Sequence, residues 1–172
     1  IKEIERTIMN PIVAGMRQRG IKYVGVLFAG LMITPNGPKV LEFNCRLGDP
    51  ETQTIMPLMN TDILEAFIAC TEGHLDNVSF EWGDESCVSV VLASGGYPSS
   101  YKTGLPISGL ESVDPDVNVF HAGTKVSQEN HWIETNGGRV IAVTAKGPTI
   151  EIAKEKVYSN INLISFSNAY FR

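Results

Sequence analysis

The sequence has 172 residues, room for one medium domain or two small ones. It is 43% hydrophobic and 19% charged, with 19 acidic against 14 basic residues and a net charge of −5; this excludes a chain disordered throughout, and with no basic block it argues against nucleic-acid or membrane-surface partners. Its 16 glycines and 9 prolines imply short elements rather than long bundle helices, and the longest apolar stretch, residues 23–34, is too short for a bilayer and is interrupted by Gly25 and Gly30.

Ile1, Ile4, Ile8, Ile12 and Met16 recur at three- and four-residue steps, which predicts an amphipathic helix at the start. Pro11 predicts a break into two helices at Asn10-Pro11, with Asn10 as a cap and Gly20 as the stop. Residues 23–34 read as a strand, Pro35-Asn36-Gly37-Pro38 as a turn and residues 39–45 as the antiparallel return. After the loop Arg46-Leu47-Gly48, Asp49 reads as the N-cap and Pro50 as the first-turn residue of a helix toward Met59. Asn60-Thr61-Asp62 caps another helix, Ile63 to Glu72, which Gly73 ends.

The pattern changes near Ser79, and a domain boundary is placed at 83–86. Residues 79–82, 87–93, 117–122, 132–135 and 139–145 read as strands, Asn136-Gly137-Gly138 as a tight turn joining the last two, and residues 148–159 as a helix. Cys45, Cys70 and Cys87 lack metal-ligand spacing and read as reduced thiols of a cytoplasmic protein. His74, His121 and His131 are too scattered for zinc; His121 reads as a hydrogen-bonded sheet histidine. Trp82 and Trp132 read as packing residues.

Chemistry concentrates between Glu42 and Gln53. On a strand alternate residues share a face, so Glu42, Asn44 and Arg46 point one way and Leu41, Phe43 and Cys45 the other, into apolar packing. Carboxylate and amide oxygens suit a hard cation that completes its shell with phosphates and water, and an arginine beside them suits a phosphate or carboxylate. A solvated strand face with a surface ion pair is the competing reading of the same row. Gly48 lets backbone approach a ligand, and the helix start that follows can receive an anion.

The run Arg46-Leu47-Gly48-Asp49-Pro50-Glu51-Thr52-Gln53 resembles the signature of the phosphoribosylamine–glycine ligases, or glycinamide ribonucleotide synthetases. Val40-Leu41-Glu42-Phe43-Asn44-Cys45 resembles the metal-ligand strand of the ATP-grasp superfamily that contains them. The hairpin from Gly25 to Lys39, Ser94-Gly95-Gly96-Tyr97-Pro98, Phe120-His121-Ala122-Gly123-Thr124 and Asn136-Gly137-Gly138-Arg139-Val140 are similar as well.

The resemblance implies an α+β fold: residues 1–83 as the carboxy-terminal lobe of an ATP-grasp module, an antiparallel sheet with flanking helices, and 84–172 as a mainly β carboxy-terminal domain of that family. It implies an ATP-dependent joining of glycine to 5-phosphoribosylamine through glycyl phosphate, in purine biosynthesis. Glu42 and Asn44 would bind Mg²⁺ or Mn²⁺, Arg46 would be catalytic, and Asp49, Glu51, Thr52, Arg139 and Arg172 would contact substrate. Many ATP-grasp enzymes carry a further acidic ligand on the preceding strand; here Phe28-Ala29-Gly30-Leu31-Met32 has none.

The start at Ile1 and the stop at Arg172 read as cuts in a longer chain whose amino-terminal domains, ATP lid and adenine-binding segment are needed for turnover. A stand-alone ligase and a fused multifunctional enzyme both stay open. So do another ATP-grasp carboxylate–amine ligase and a non-catalytic domain derived from one.

Overall fold

A computed structural model describes all 172 residues, which divide into two units: residues 1–48 with 61–81, and residues 49–60 with 82–172.

In the first unit the amino-terminal helix does not break at Pro11. It runs as α1 (Lys2–Ile4), a π-helical turn over Glu5–Met9 and α2 (Asn10–Gln18) without interruption. Asn10 is not a cap: it has helical dihedrals, and its N–H reaches back five residues to the Glu5 carbonyl. A proline offers no N–H and crowds the carbonyl four residues earlier, so a widened turn just before it lets the helix continue.

The first strand starts later than predicted, as β1 (Phe28–Thr34), because Tyr23 closes a local loop by donating its hydroxyl to the Val26 carbonyl at 2.6 Å. It pairs antiparallel with β2 (Gly37–Asn44) across a turn in which Gly37 has φ +87°. In that register Gly30 lies opposite Glu42 and Phe28 opposite Asn44. The apolar packing expected behind β2 is absent from this chain: Leu41 is 66% exposed, Phe43 38% and Cys45 is also exposed.

The capped helix appears as expected in α4 (Ile63–Glu72). Asp62 Oδ1 accepts from Leu64 N at 2.8 Å, and Gly73 ends it in the left-handed conformation. Residues 79–82 form no strand; Thr61 Oγ1 accepts from Glu81 N at 2.7 Å and donates to Ser79 O at 3.1 Å. Ile8, Ala66 and Ala69 are the buried hydrophobic residues of this unit.

The second unit begins with α3 (Thr52–Ile55), prolonged by a short 3₁₀ turn, Met56–Leu58. This helix is shorter than predicted, and Asp49 does not cap it. Strands β3 (Ser86–Ala93), β4 (Asn118–His121) and β7 (Arg139–Gly147) form an antiparallel sheet in the order β3-β7-β4. Strands β5 (Thr124–Val126), which the hydrophobic pattern did not announce, and β6 (Ile133–Thr135) pair separately.

Asn136-Gly137-Gly138 is therefore not a hairpin turn; it carries the chain from one sheet to the other. Glycine is needed there for close approach: a Cβ on Gly137 would lie 2.9 Å from Gly123 Cα, and one on Gly138 2.1 Å from the Tyr97 ring.

Helix α5 (Ile150–Ile161), capped by Thr149, packs on β3 and β7. Leu92, Val140, Ile141, Val143, Val157 and Ile161 are fully enclosed in the resulting core. As the central strand, β7 is buried on both faces, and its Thr144 hydroxyl is satisfied by Ser89 Oγ at 2.7 Å. Both tryptophans, read as packing residues, are about half exposed: Trp82 at 50% and Trp132 at 46%. No helix is long and apolar enough to cross a membrane.

Candidate functional site

The period of the β2 strand places Glu42 and Asn44 on one face, and they touch: Asn44 Nδ2 donates to Glu42 Oε1 at 3.0 Å. Glu42 is exposed and Asn44 half-buried. The contact uses the amide nitrogen, which leaves the Asn44 carbonyl oxygen and the second Glu42 oxygen for another partner. Gly30 makes room beside them, since a Cβ there would stand 3.1 Å from Glu42 Cγ. Gly30, on the preceding strand, is thus the residue that accommodates the glutamate side chain. No group of three or more His, Cys, Asp or Glu could hold a metal ion. Two neighbouring hard oxygen donors without a third fit a cation that takes the rest of its shell from phosphate and water.

Arg46 is not on the strand face with them. The strand ends at Asn44, and Arg46 lies exposed in the following loop, its guanidinium donating to the Leu47 carbonyl at 2.8 Å. The alternation that placed it beside Glu42 and Asn44 stops where the ladder stops.

In the second unit Asp49 and Arg139 meet across 90 residues of sequence. Arg139 Nη1 donates to the Asp49 carbonyl at 2.6 Å and Nη2 to Asp49 Oδ2 at 3.0 Å. Gln53 Nε2 donates to Asp49 Oδ1 at 2.9 Å, and the buried Gln53 Oε1 is left without a hydrogen-bond partner. Sequence reasoning placed Gln53 in the signature run without a role; its signal was the four-residue spacing from Asp49, one helical turn.

Glu51 is exposed, and its carbonyl accepts from the Thr54 hydroxyl at 2.7 Å; Thr52 opens α3. Arg172 is exposed, beyond Tyr170, whose backbone bridges to Ala93. His121 bonds Thr124 Oγ1 through Nδ1 at 3.1 Å. Tyr23 has its hydroxyl pKa raised, chiefly by a hydrogen bond with Cys45, and burial raises that of the Cys87 thiol.

Residues 1–52 match the family described as phosphoribosylglycinamide synthetase, ATP-grasp (A) domain, and residues 87–172 the phosphoribosylglycinamide synthetase C domain. The chain is 49% identical over 172 residues to a phosphoribosylamine–glycine ligase of Caldanaerobacter subterraneus, matching all of this chain and 40% of that protein. It is 47% identical over 174 residues to a bifunctional purine biosynthetic protein of Pichia angusta, again along all of this chain and 22% of that protein. The crystal structure of a phosphoribosylamine–glycine ligase from Thermotoga maritima matches with a TM-score of 0.78 at 32% identity, over 93% of this chain and 39% of that one. The chain thus spans 40% or less of the length of each of these relatives.

Proposed function

The chain belongs to the phosphoribosylglycinamide synthetase family, and on that premise we propose that it is the carboxy-terminal part of an ATP-dependent ligase joining glycine to 5-phosphoribosylamine. A glycine carboxylate oxygen attacks the γ-phosphorus of ATP, giving glycyl phosphate and ADP. The amine of phosphoribosylamine then attacks the acyl carbon and expels inorganic phosphate, leaving glycinamide ribonucleotide. For such a reaction the protein contributes positioning and charge neutralisation.

Glu42 and Asn44 would hold the cation, Mg²⁺ or Mn²⁺, which when bound offsets phosphate charge and orients the transferring group. Arg46 serves the phosphoryl or acyl-phosphate oxygens; its Nη1 donates to the adjacent Leu47 carbonyl, and the guanidinium has further N–H donors for a ligand. Asp49, Glu51 and Thr52 serve the glycine and amine side and Arg172 the phosphoribosyl side, while the Arg139 guanidinium is engaged with Asp49. The chain spans 40% or less of the relatives' length, so the reaction is assigned to a full-length protein that carries it. Three free cysteines are in keeping with a reducing, cytoplasmic setting.

The observation that carries this reading is the Glu42–Asn44 oxygen pair, with Glu42 opposite Gly30, followed closely by the Arg46–Gln53 signature run. The test is glycine-dependent ADP release by a full-length protein carrying this chain, with other carboxylates as controls. Release with another carboxylate in place of glycine would move the assignment to a different ATP-grasp ligase. Glu42→Ala abolishes turnover if the carboxylate serves the cation; unchanged turnover refutes that role.

A further inference from the structure

We infer that Arg139 is a positioning residue for the ligation, acting through Asp49. The inference rests on the proposed ligase reading, in which Asp49 serves the substrate side.

Arg139 is the first residue of β7, and the backbone around it is held by Ser94 on one side and Gly123 on the other. The Gly138 carbonyl accepts from Ser94 N at 2.8 Å, the Gly137 carbonyl from Ser94 Oγ at 2.8 Å, and the Arg139 carbonyl from Gly123 N at 2.9 Å. Ser94 is only 1% exposed, so this anchor lies in the protein interior. From it the guanidinium fork takes both the main-chain carbonyl and one carboxylate oxygen of Asp49. Gln53 takes the other carboxylate oxygen.

Each Asp49 oxygen so engaged faces its own N–H donor, and the donors come from separate elements, which sets the plane of the carboxylate. A carboxylate only accepts, so the Gln53 amide must turn its nitrogen toward Asp49; this leaves Oε1 buried and unpartnered. Arg139 thereby orients two side chains of the signature run while belonging to a strand 90 positions away.

Stability does not account for the arrangement. The Arg139 and Asp49 side chains are 38% and 42% exposed, and pairs at such sites add little to folding. What a two-point fork delivers is geometry: it fixes the backbone and side chain of Asp49 together, which a lysine point charge cannot do.

The test uses the full-length ligase with Arg139→Ala, Arg139→Lys, Asp49→Asn and the Arg139→Ala/Asp49→Asn double variant. Arg139→Ala lowers kcat/KM on the order of 10²-fold, the scale of a misplaced site group. Arg139→Lys recovers part of it. The double variant is no slower than the slower single one, because Arg139 acts only through Asp49. Unchanged kcat/KM in Arg139→Ala overturns the inference, and so do losses that multiply in the double variant, the signature of a direct substrate contact.

A second measurement needs no substrate. In the 172-residue chain, amides of 51–55 exchange with solvent on the order of tenfold faster in Arg139→Ala while β3 and β7 amides keep their rates. If alanine loosens β7 itself, Arg139→Lys is compared in its place, with a smaller rise expected at 51–55. Unchanged exchange there beside intact glycine-dependent turnover sinks the clamp alone. Absent turnover in the unsubstituted full-length protein sinks the ligase reading and with it the role assigned to Asp49.

Discussion

In the unit of residues 49–60 and 82–172, a three-stranded sheet and α5 enclose Leu92, Val140, Ile141, Val143, Val157 and Ile161 completely, whereas in the unit of residues 1–48 and 61–81 Ile33, Leu41 and Leu64 remain 70%, 66% and 60% exposed. The difference follows from architecture. A sheet of three strands with a helix across it has an inside; a two-stranded hairpin has no covered face unless something else supplies one, and is at best marginal alone. Yet the open unit bears Glu42, Asn44 and Arg46, while the closed one bears Asp49, Gln53 and Arg139. A complete core holds its polar residues through long-range contacts such as Arg139–Asp49. The open unit holds Glu42 and Asn44 through strand geometry and a bond between near neighbours.

The contrast is broken most directly by truncating one apolar side chain in each unit. Leu92→Ala costs about 2–5 kcal/mol, the range for a buried leucine, while Leu41→Ala stays within roughly 0.5 kcal/mol. Urea titration of the 172-residue chain checks both, and equal costs would mean that the hairpin carries a core after all.

Two glycines make the next comparison. Gly109 has φ +85°, and a Cβ there would stand 1.9 Å from the Leu163 carbonyl oxygen; Gly73 has φ +80° with nothing within 4 Å. Gly109→Ala is expected to cost roughly 3 kcal/mol or more, dihedral strain plus collision, and Gly73→Ala about 1 kcal/mol from the dihedral alone. Thermal melts of the two variants distinguish them.

The helix caps are expected to be nearly equal. Thr149→Ala in the closed unit and Asp62→Ala in the open one each remove a side-chain acceptor at a helix start and cost about 1 kcal/mol locally. Amide exchange in α5 and α4 reports each loss separately, and a much larger loss at Asp62 would show that the open unit depends on its caps.

The smallest effect concerns pH. Lys156 donates to Asp116 and holds that carboxyl below its usual value of 3.8. A depressed carboxyl stabilises the fold above the unfolded value and loses that contribution as pH falls through the folded one. Because Asp116 is exposed, the slope is shallow, and Lys156→Met should flatten it in melting temperatures measured from neutral pH to below 3.8.

Much of this was legible because its cause is local. The Asp62 cap and Gly73 stop of α4, the antiparallel pairing of β1 with β2 and the placement of Glu42 and Asn44 on one face follow from residues a few positions apart. The misreadings share the opposite property. Pro11 was absorbed by a π turn, Arg46 fell beyond the end of its ladder, and Gly137-Gly138 served backbone approach to Gly123 and the Tyr97 ring rather than a hairpin. Each depends on where the neighbouring chain goes.

By itself the sequence determined the short-element architecture, the cap and stop of α4, the mainly β second half and the paired oxygen donors, since propensity, capping and strand alternation act over a handful of residues. The tertiary structure alone decided that β7 is central, that the apolar side of β2 is uncovered in this chain, and that Arg139 reaches Asp49. Strand partnership, burial and a contact spanning 90 residues are outcomes of global packing, and no local periodicity encodes which distant segment will arrive.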